Sequence, residues 1–327
     1  MENRIKKIRW GIIGLGKIAN KFATDLITIP DAQLYAVASR SEEKSKAFAE
    51  KYKAEIAYNS YEDLAKDPNI DAVYIATPHS FHKTHAILCM THKKAVLCEK
   101  PFAMNPEEVN EMIAVAKENN VLLMEALWTY FLPHYQELLR LLDTKTYGEV
   151  LKIESDFGFK PEIDMSSRVF KKSLGGGSLL DIGIYPIFSA LSTLGIPESI
   201  NAKATFFDND VDATCDMVFN YKNDIKAYLK SSLLEQTPTE AVFYCEQAKI
   251  TLNTRFHQPS NITITTNDGI ENTLNFNCST IGYNFETIHF NQLLRTGKTE
   301  SDIMTFAFSK TLIQTLQNVR ETIGLHY

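Results

Sequence analysis

Through the first 125 residues, short apolar runs alternate with stretches whose apolar positions recur at helical spacing. Ile8 to Ile13, Leu34 to Ala38, Ala72 to Ala76, Ala95 to Cys98 and Val121 to Met124 predict short buried strands. Helices are predicted between them. The first covers about Lys17 to Ile27. The second carries Ala47, Phe48 and Tyr52 on one face, with Ser41 as its cap and Glu42 and Glu43 in the first turn, where the helix dipole favours acids. A later one opens with Asn105-Pro106-Glu107-Glu108: a cap, a proline at the first position, then acids. Strand and helix alternating at this spacing predict βαβ units, hence an α/β domain with a doubly wound parallel sheet.

The pattern changes after about residue 126. Lys152 to Phe159 alternates, and Thr205 to Tyr221, Ile225 to Ser231 and Ala241 to Leu252 follow in strand-like style. Ile262 to Thr265, Asn267-Asp268-Gly269, then Leu274 and Phe276 predict a hairpin closed by a glycine turn. Ser301 to Thr322 is predicted helical, ending at Gly324. The expectation is two domains: a nucleotide-binding Rossmann domain over 1–125, and an α+β domain with a mostly antiparallel open sheet over 126–327.

Composition narrows the function. The 327 residues include 40 acidic and 34 basic ones, a formal charge of -6, with no Lys/Arg block. That argues against a nucleic-acid or membrane-surface partner. Cys89, Cys98, Cys215, Cys245 and Cys278 are an odd number at irregular spacing with no CxxC pair, which reads as reduced thiols of a cytoplasmic protein. The basic start followed by Trp10 to Gly16 mimics a short signal peptide, but the run is broken by glycine and has no cleavage site. No stretch approaches 18 apolar residues, so no bilayer span is expected.

The candidate chemistry begins at Gly14-Leu15-Gly16-Lys17-Ile18-Ala19, which fits G-x-G-x-x-G/A between the first strand and first helix. Gly14 allows the tight turn, Gly16 admits a pyrophosphate, Ala19 keeps the helix against the sheet, and the helix N-terminus supplies N–H donors. A strand-two carboxylate would mark NAD, but that strand ends Ala38-Ser39-Arg40-Ser41. Ser39 can hydrogen-bond a 2′-phosphate and Arg40 can pair with it, favouring NADP(H) over NAD(H); the alternative is a helix cap beside a solvated arginine. Glu99-Lys100-Pro101 follows the fifth strand, and a lysine there faces the ligand crevice. Gly175-Gly176-Gly177 leads into Asp181 and Tyr185, spaced i, i+4, so a helix would present carboxylate and phenol together. The bland reading is a loop before a core helix with a buried tyrosine. His79, His82 and His85 form H-x-x-H-x-x-H, but no Cys or carboxylate completes a tetrahedral set, so no metal is expected. Met104, Met112 and Met124 read as core fillers.

On these segments the chain resembles the Gfo/Idh/MocA oxidoreductase family over nearly its whole length: G-x-G-x-x-A, Ala76-Thr77-Pro78 with His82, Glu-Lys-Pro, and G-G-G-x-L-L-D-x-G-x-[HY]. Tyr185 at the last position, with Glu125-Ala126-Leu127-Trp128-Thr129, is most similar to the branch of trans-1,2-dihydrobenzene-1,2-diol dehydrogenase and glucose–fructose oxidoreductase. The resemblance implies an NADP-dependent dehydrogenase acting on a polyol, sugar or dihydrodiol. Tyr185 would be the general acid/base. Lys100 would favour the phenolate and polarise the substrate oxygen, and Asp181 would bind a second hydroxyl or orient Lys100. His82, Glu99 and Trp128 would lie near the cofactor, with a core role open for Trp128, and Arg168 would reach substrate or sit at the surface. Tyr130 stands where many relatives have arginine. The family also implies a homodimer. Two rivals stand beside this reading: an NAD-dependent glycosidase, against which Ser39 and Tyr185 count, and a non-catalytic sensor, which has no need of Lys100, Asp181 and Tyr185 together.

Overall fold

The computed structural model describes residues 6–327. The predicted βαβ series is present as six parallel strands, β1 (Ile8–Ile13), β2 (Ala32–Ala38), β3 (Ile56–Tyr58), β4 (Ala72–Ile75), β5 (Ala95–Glu99) and β6 (Leu123–Ala126). Their order in the sheet is β3-β2-β1-β4-β5-β6. The intervening helices are α1 (Lys17–Leu26), α2 (Glu42–Tyr52), α3 (Tyr61–Lys66), α4 (His82–Thr91) and α5 (Pro106–Asn119). Ile12, Ile13, Val37, Val73, Ile75, Val96 and Leu97 have no exposed surface, as strands covered on both faces require. The helix signals hold in detail. Ser41 accepts from the Lys44 N–H at the start of α2, and Asn105 from the Glu108 N–H at the start of α5. Strand order reverses between β1 and β4, so a crevice opens at their carboxyl ends.

The second sheet has eight strands: β7 (Val150–Gly158), β8 (Ser199–Phe206), β9 (Asp212–Asn220), β10 (Lys226–Ser232), β11 (Ala241–Cys245), β12 (Ala248–Leu252), β13 (Ile262–Thr266) and β14 (Glu271–Leu274), in the order β14-β13-β12-β11-β7-β10-β9-β8. The β10–β7 pair is parallel and the remaining pairs are antiparallel. Helix α6 (Pro133–Asp143) precedes this sheet, and α7 (Ile184–Leu194) packs one face against β7 and β10. The segment 172–194 is apolar and long enough to cross a bilayer, contrary to the reading that no stretch approaches that length. Nearly all of it is buried within the fold, where it forms core.

Two compact units result. One runs to Trp128 and takes back Ser279–Lys310; the other comprises Thr129–Cys278 and Thr311–Tyr327. The expected 126–327 domain is therefore not one unbroken stretch. The returning part contains α8 (Tyr283–Arg295) and the start of α9 (Phe306–Ile323). The reason is a buried carboxylate on α1. Asp25 accepts the backbone N–H groups of Ile281, Gly282 and Tyr283 at 3.0, 2.7 and 2.8 Å, capping α8 from across the unit. Trp10 adds an indole N–H donation to Asn291 at 3.2 Å and a ring contact with Phe290 at 5.1 Å.

Replacing Asp25 with alanine leaves three buried or half-buried N–H groups without their acceptor. Asp25→Ala is expected to lower stability by roughly 3 kcal/mol, and Asp25→Asn by about half that, because one oxygen remains. Urea unfolding followed by tryptophan fluorescence measures this, and a loss below about 1 kcal/mol for Asp25→Ala would refute the assignment.

Candidate active site

The turn from β1 into α1 is built for close approach. Gly14 has φ +88°, and a Cβ there would lie 2.8 Å from the Ala76 carbonyl carbon and oxygen and from Thr77 Cγ2. Gly16 caps α1 with no side-chain hydrogen bond, no acid stands in the first turn, and the space around a Cβ at Gly16 is empty to 4 Å. This is an uncapped helix N-terminus with room for a pyrophosphate, the donor set that a dinucleotide requires. Leu15, Lys17 and Ile18 lie on the same turn, partly or fully exposed, while Ala19 is buried against the sheet. At the end of β2, Ser39 is nearly buried and its Oγ accepts the Ser41 N–H at 3.2 Å, while the Arg40 side chain is exposed. The residues fit NADP(H): donors for the pyrophosphate at α1, and a hydroxyl and guanidinium for the 2′-phosphate.

The loops after β4 and β5 form the other side of this crevice. Pro78 carries the chain from Ala76 and Thr77 into a short turn (79–81) ahead of α4. His82, fully buried, has Nε2 2.9 Å from the Thr77 carbonyl oxygen and Nδ1 2.9 Å from that of Pro101, so it ties the two loops together. Its neighbours in the motif go elsewhere: His85 Nδ1 lies 3.1 Å from Thr77 Oγ1, and the His79 ring packs 5.7 Å from that of His82. Among the described residues no group of three or more His, Cys, Asp or Glu is arranged to hold a metal.

Lys100 is partly exposed, and the turn that carries it is held by two buried acids. Glu99 accepts the Tyr74 hydroxyl and, at 3.2 Å, the Lys100 N–H; Glu125 accepts the Phe102 N–H at 3.0 Å. Burial pushes the Glu125 carboxyl up to about 7, against the lowering effect of the Ser309 hydroxyl and that N–H. Glu286 of α8 lies beside Glu99, fully buried, with neither oxygen hydrogen-bonded among the described residues. Burial, and then the Glu99 charge, hold it well above the usual carboxylate range. Trp128 is buried and stacks on Tyr283, centroids 4.3 Å apart and planes 11° apart.

In the second unit, the glycine run leads into a single π-helical turn (179–183) that continues directly as α7. With i→i+5 closure, Asp181 and Tyr185 stay about one turn apart, close to the shared face that a helix predicts. The segment is fixed by Asp212, whose Oδ2 accepts the Leu179 N–H at 2.6 Å and the Ser178 hydroxyl at 2.8 Å. A Cβ on Gly177, which has φ +117°, would lie 1.9 Å from Asp212 Oδ1, so only glycine fits. Burial pushes Asp212 up to about 7 despite those donors. Arg168 Nη2 donates to Asp181 Oδ1 at 2.7 Å. Tyr185 is 5% exposed, its ring 5.6 Å from Phe157 and 5.0 Å from His257, and those two stack on each other at 4.3 Å. Tyr130 packs its ring 5.1 Å from Phe188 of α7.

Comparison with known proteins follows the same division. A family model for the Gfo/Idh/MocA oxidoreductases with an NAD-binding Rossmann fold matches residues 8–127, and one for the Gfo/Idh/MocA C-terminal domain matches 135–251. The chain belongs to the Gfo/Idh/MocA oxidoreductase family. It is 37% identical to trans-1,2-dihydrobenzene-1,2-diol dehydrogenase of Xenopus tropicalis, over 98% of this chain and 99% of that one. It is 34% identical to scyllo-inositol 2-dehydrogenase (NADP(+)) of Bacillus subtilis (strain 168), over 98% of both. Among solved structures, a 3-ketoreductase from Actinomadura kijaniata in complex with NADP and TDP-benzene superposes with a TM-score of 0.88 at 25% identity, covering 97% of this chain and 98% of that one.

Several residues that surround the Tyr185 segment carry no mark in the sequence. Phe157, Asp212 and His257 reach the Tyr185 segment from positions 28 before to 72 after it, and nothing local distinguishes them from other core positions.

The buried acids give a stability prediction with a definite sign. Glu125, Asp212 and Glu286 all have folded-state values raised above those of the unfolded chain. Their contribution is therefore fully present below about pH 4 and is lost as pH rises toward 7, where Glu125 and Asp212 ionise in the fold. Glu125→Gln keeps the acceptor for Phe102 and is expected to exceed the parent in stability at pH 8 by on the order of 3 kcal/mol at most, with little difference at pH 4.5. Thermal unfolding at the two pH values tests this, and a variant less stable than the parent at pH 8 would contradict it.

Proposed function

We propose that this protein is an NADP-dependent dehydrogenase acting on a CH–OH carbon of a neutral cyclic diol, polyol or sugar. The observation that carries the proposal is full-length similarity to dehydrogenases named for a dihydrodiol and an inositol, joined to a chain that retains Lys100, Asp181 and Tyr185. The cofactor is NADP(H), which the Ser39–Arg40 end of β2 also favours. When bound, it takes or supplies a hydride at nicotinamide C4. In this reading Tyr185 accepts the hydroxyl proton during oxidation and returns it to the carbonyl oxygen during reduction. Lys100 stabilises the phenolate form as a cation and polarises the substrate oxygen.

The second-unit residues support a neutral substrate. Arg168 is already neutralised by Asp181, leaving the pair able to hydrogen-bond a hydroxyl and offering little net charge to a phosphate or carboxylate. Phe157 and His257 give the Tyr185 ring an aromatic flank on which the apolar face of a cyclic diol or sugar ring can pack. Retention of Ser39 and Tyr185 also weighs against the NAD-dependent glycosidase.

We further propose a cytoplasmic homodimer. Cys89, Cys98, Cys215 and Cys245 are buried thiols outside any disulfide, and the outer face of the eight-stranded sheet forms a depression of about 630 Å³ around Tyr228. Lys203 and Lys230 alternate there with Glu154 and Asp216, a mixture that can complement its own copy across a two-fold axis.

Absorbance at the NADPH wavelength, with NADP or NAD against trans-dihydrodiols, inositols and aldoses, tests the activity. Turnover with NADP is expected, and Tyr185→Phe and Lys100→Met are each expected to lower kcat by about 10²–10⁴-fold with NADPH affinity retained. Full activity in Tyr185→Phe would overturn the assigned role, and faster turnover with NAD would overturn the cofactor preference. Light scattering is expected to give a dimer that Tyr228→Glu converts to monomer; a monomeric parent would refute the interface.

A further inference from the structure

Three side chains from separate parts of the first unit gather where β2 ends. Arg40 comes from the turn after β2, Tyr61 opens α3, and His85 lies on the second turn of α4. The Tyr61 and His85 rings meet edge to face, centroids 4.8 Å apart and planes at 74°. Phe81 stacks on the other side of His85 at 5.8 Å. The Arg40 charge acts on both rings, favouring the Tyr61 phenolate against the effect of burial and opposing protonation of His85. Burial, reinforced by Arg40, pushes His85 down to about 4, so its imidazole is neutral at neutral pH.

A neutral imidazole has one N–H and one acceptor nitrogen. His85 Nδ1 sits 3.1 Å from the Thr77 hydroxyl, which can donate to it; in that tautomer the hydrogen is on Nε2. Nε2 makes no hydrogen bond with protein among the described residues. The same Thr77 carries the methyl group that crowds Gly14 in the dinucleotide turn, so His85 is anchored to the loop that borders the pyrophosphate position. A 2′-phosphate presents three acceptor oxygens, and one guanidinium engages two of them at most in a bidentate fork. A neutral donor beside Arg40 can serve the third without the repulsion that a second cation would bring.

We propose that His85 is a further cofactor-binding residue that donates Nε2–H to the 2′-phosphate of NADP beside Arg40, with Tyr61 holding both side chains in place. The proposal rests on the reading of Ser39 and Arg40 as the 2′-phosphate site. It makes a residue of the H-x-x-H-x-x-H motif a determinant of cofactor choice, without any metal.

The test is direct binding of NADPH and NADH to the full chain at pH 7.5, followed by nicotinamide fluorescence, with NADH as the internal control for folding. Arg40→Ala is expected to weaken NADPH by about 100-fold and to leave NADH within about twofold. His85→Ala is expected to weaken NADPH by about tenfold and Tyr61→Phe by about fivefold, again sparing NADH, while His85→Gln, which keeps a donor, recovers part of the loss. If Arg40→Ala is selective for NADPH but His85→Ala weakens both nucleotides equally or neither, the assignment of His85 is wrong. Tyr61→Phe with unchanged NADPH affinity would remove its holding role. If Arg40→Ala itself spares NADPH, the underlying reading of Ser39 and Arg40 fails instead.

Discussion

The close passage of Gly14 against Ala76 and Thr77 governs what the first unit can bind. At 2.8 Å from an imagined Cβ, the backbone of the β4 loop leaves no space for any side chain at position 14. The turn must then adopt its positive φ, and that places Gly16 at the head of α1 with open space before it. The crevice forms at this point because strand order reverses between β1 and β4. Thr77 is shared by several parts of the arrangement: its methyl crowds Gly14, its carbonyl meets His82 and its hydroxyl meets His85. The glycine turn, the loop after β5 and the second turn of α4 thereby all meet at one residue.

Buried carboxylates fix the remaining geometry. Asp25, Glu125 and Asp212 each accept backbone N–H groups from residues far away in sequence, at α8, at the Glu-Lys-Pro turn and at the π turn before Tyr185. A carboxylate reaching across the fold in this way satisfies donors that no local cap provides, and it specifies register because its two oxygens tolerate few alternatives. Burying an acid is unfavourable for the ionised form, and Glu125 and Asp212 show it in their raised values. The fold accepts that penalty at two turns, the Glu-Lys-Pro turn and the π turn before Tyr185, whose backbone these acids hold.

Much of this was legible before any coordinates. The βαβ series, the Ser41 and Asn105 caps and the glycine turn before α1 are local, and periodicity with capping chemistry specifies them. The return of 279–310 to the first unit was not legible, since its cause is Asp25, a residue that reads as one more polar position on α1. The π turn is not distinguishable from an α-helix in sequence, because its i→i+5 closure leaves no mark of its own. No local signal announces that Arg168, 13 residues earlier, lies against Asp181. That pairing depends on how the loop 168–177 folds back through the backbone bonds of Gly176 to Lys171 and Gly177 to Val169. Side chains whose roles come from distant loops, His257 and Asp212 among them, stay invisible to any window of sequence.

The same contrast explains why the three histidines of one motif end in different roles. A spacing of three invites the idea of a common ligand, since such positions lie near one helical face. Here the motif straddles a short turn and the start of α4, so the three rings diverge. His82 is used inward between two carbonyl oxygens with no surface left, and His79 packs beside it. His85 alone stays at the edge of the crevice, half-buried and flanked by Tyr61 and Phe81, where burial, reinforced by Arg40, keeps it neutral. A neutral imidazole beside a fixed guanidinium is a poor partner for another cation and a good one for an anion that the guanidinium already holds. The chemistry of that corner thus follows from which elements surround each ring, and the spacing of the histidines along the chain carries none of it.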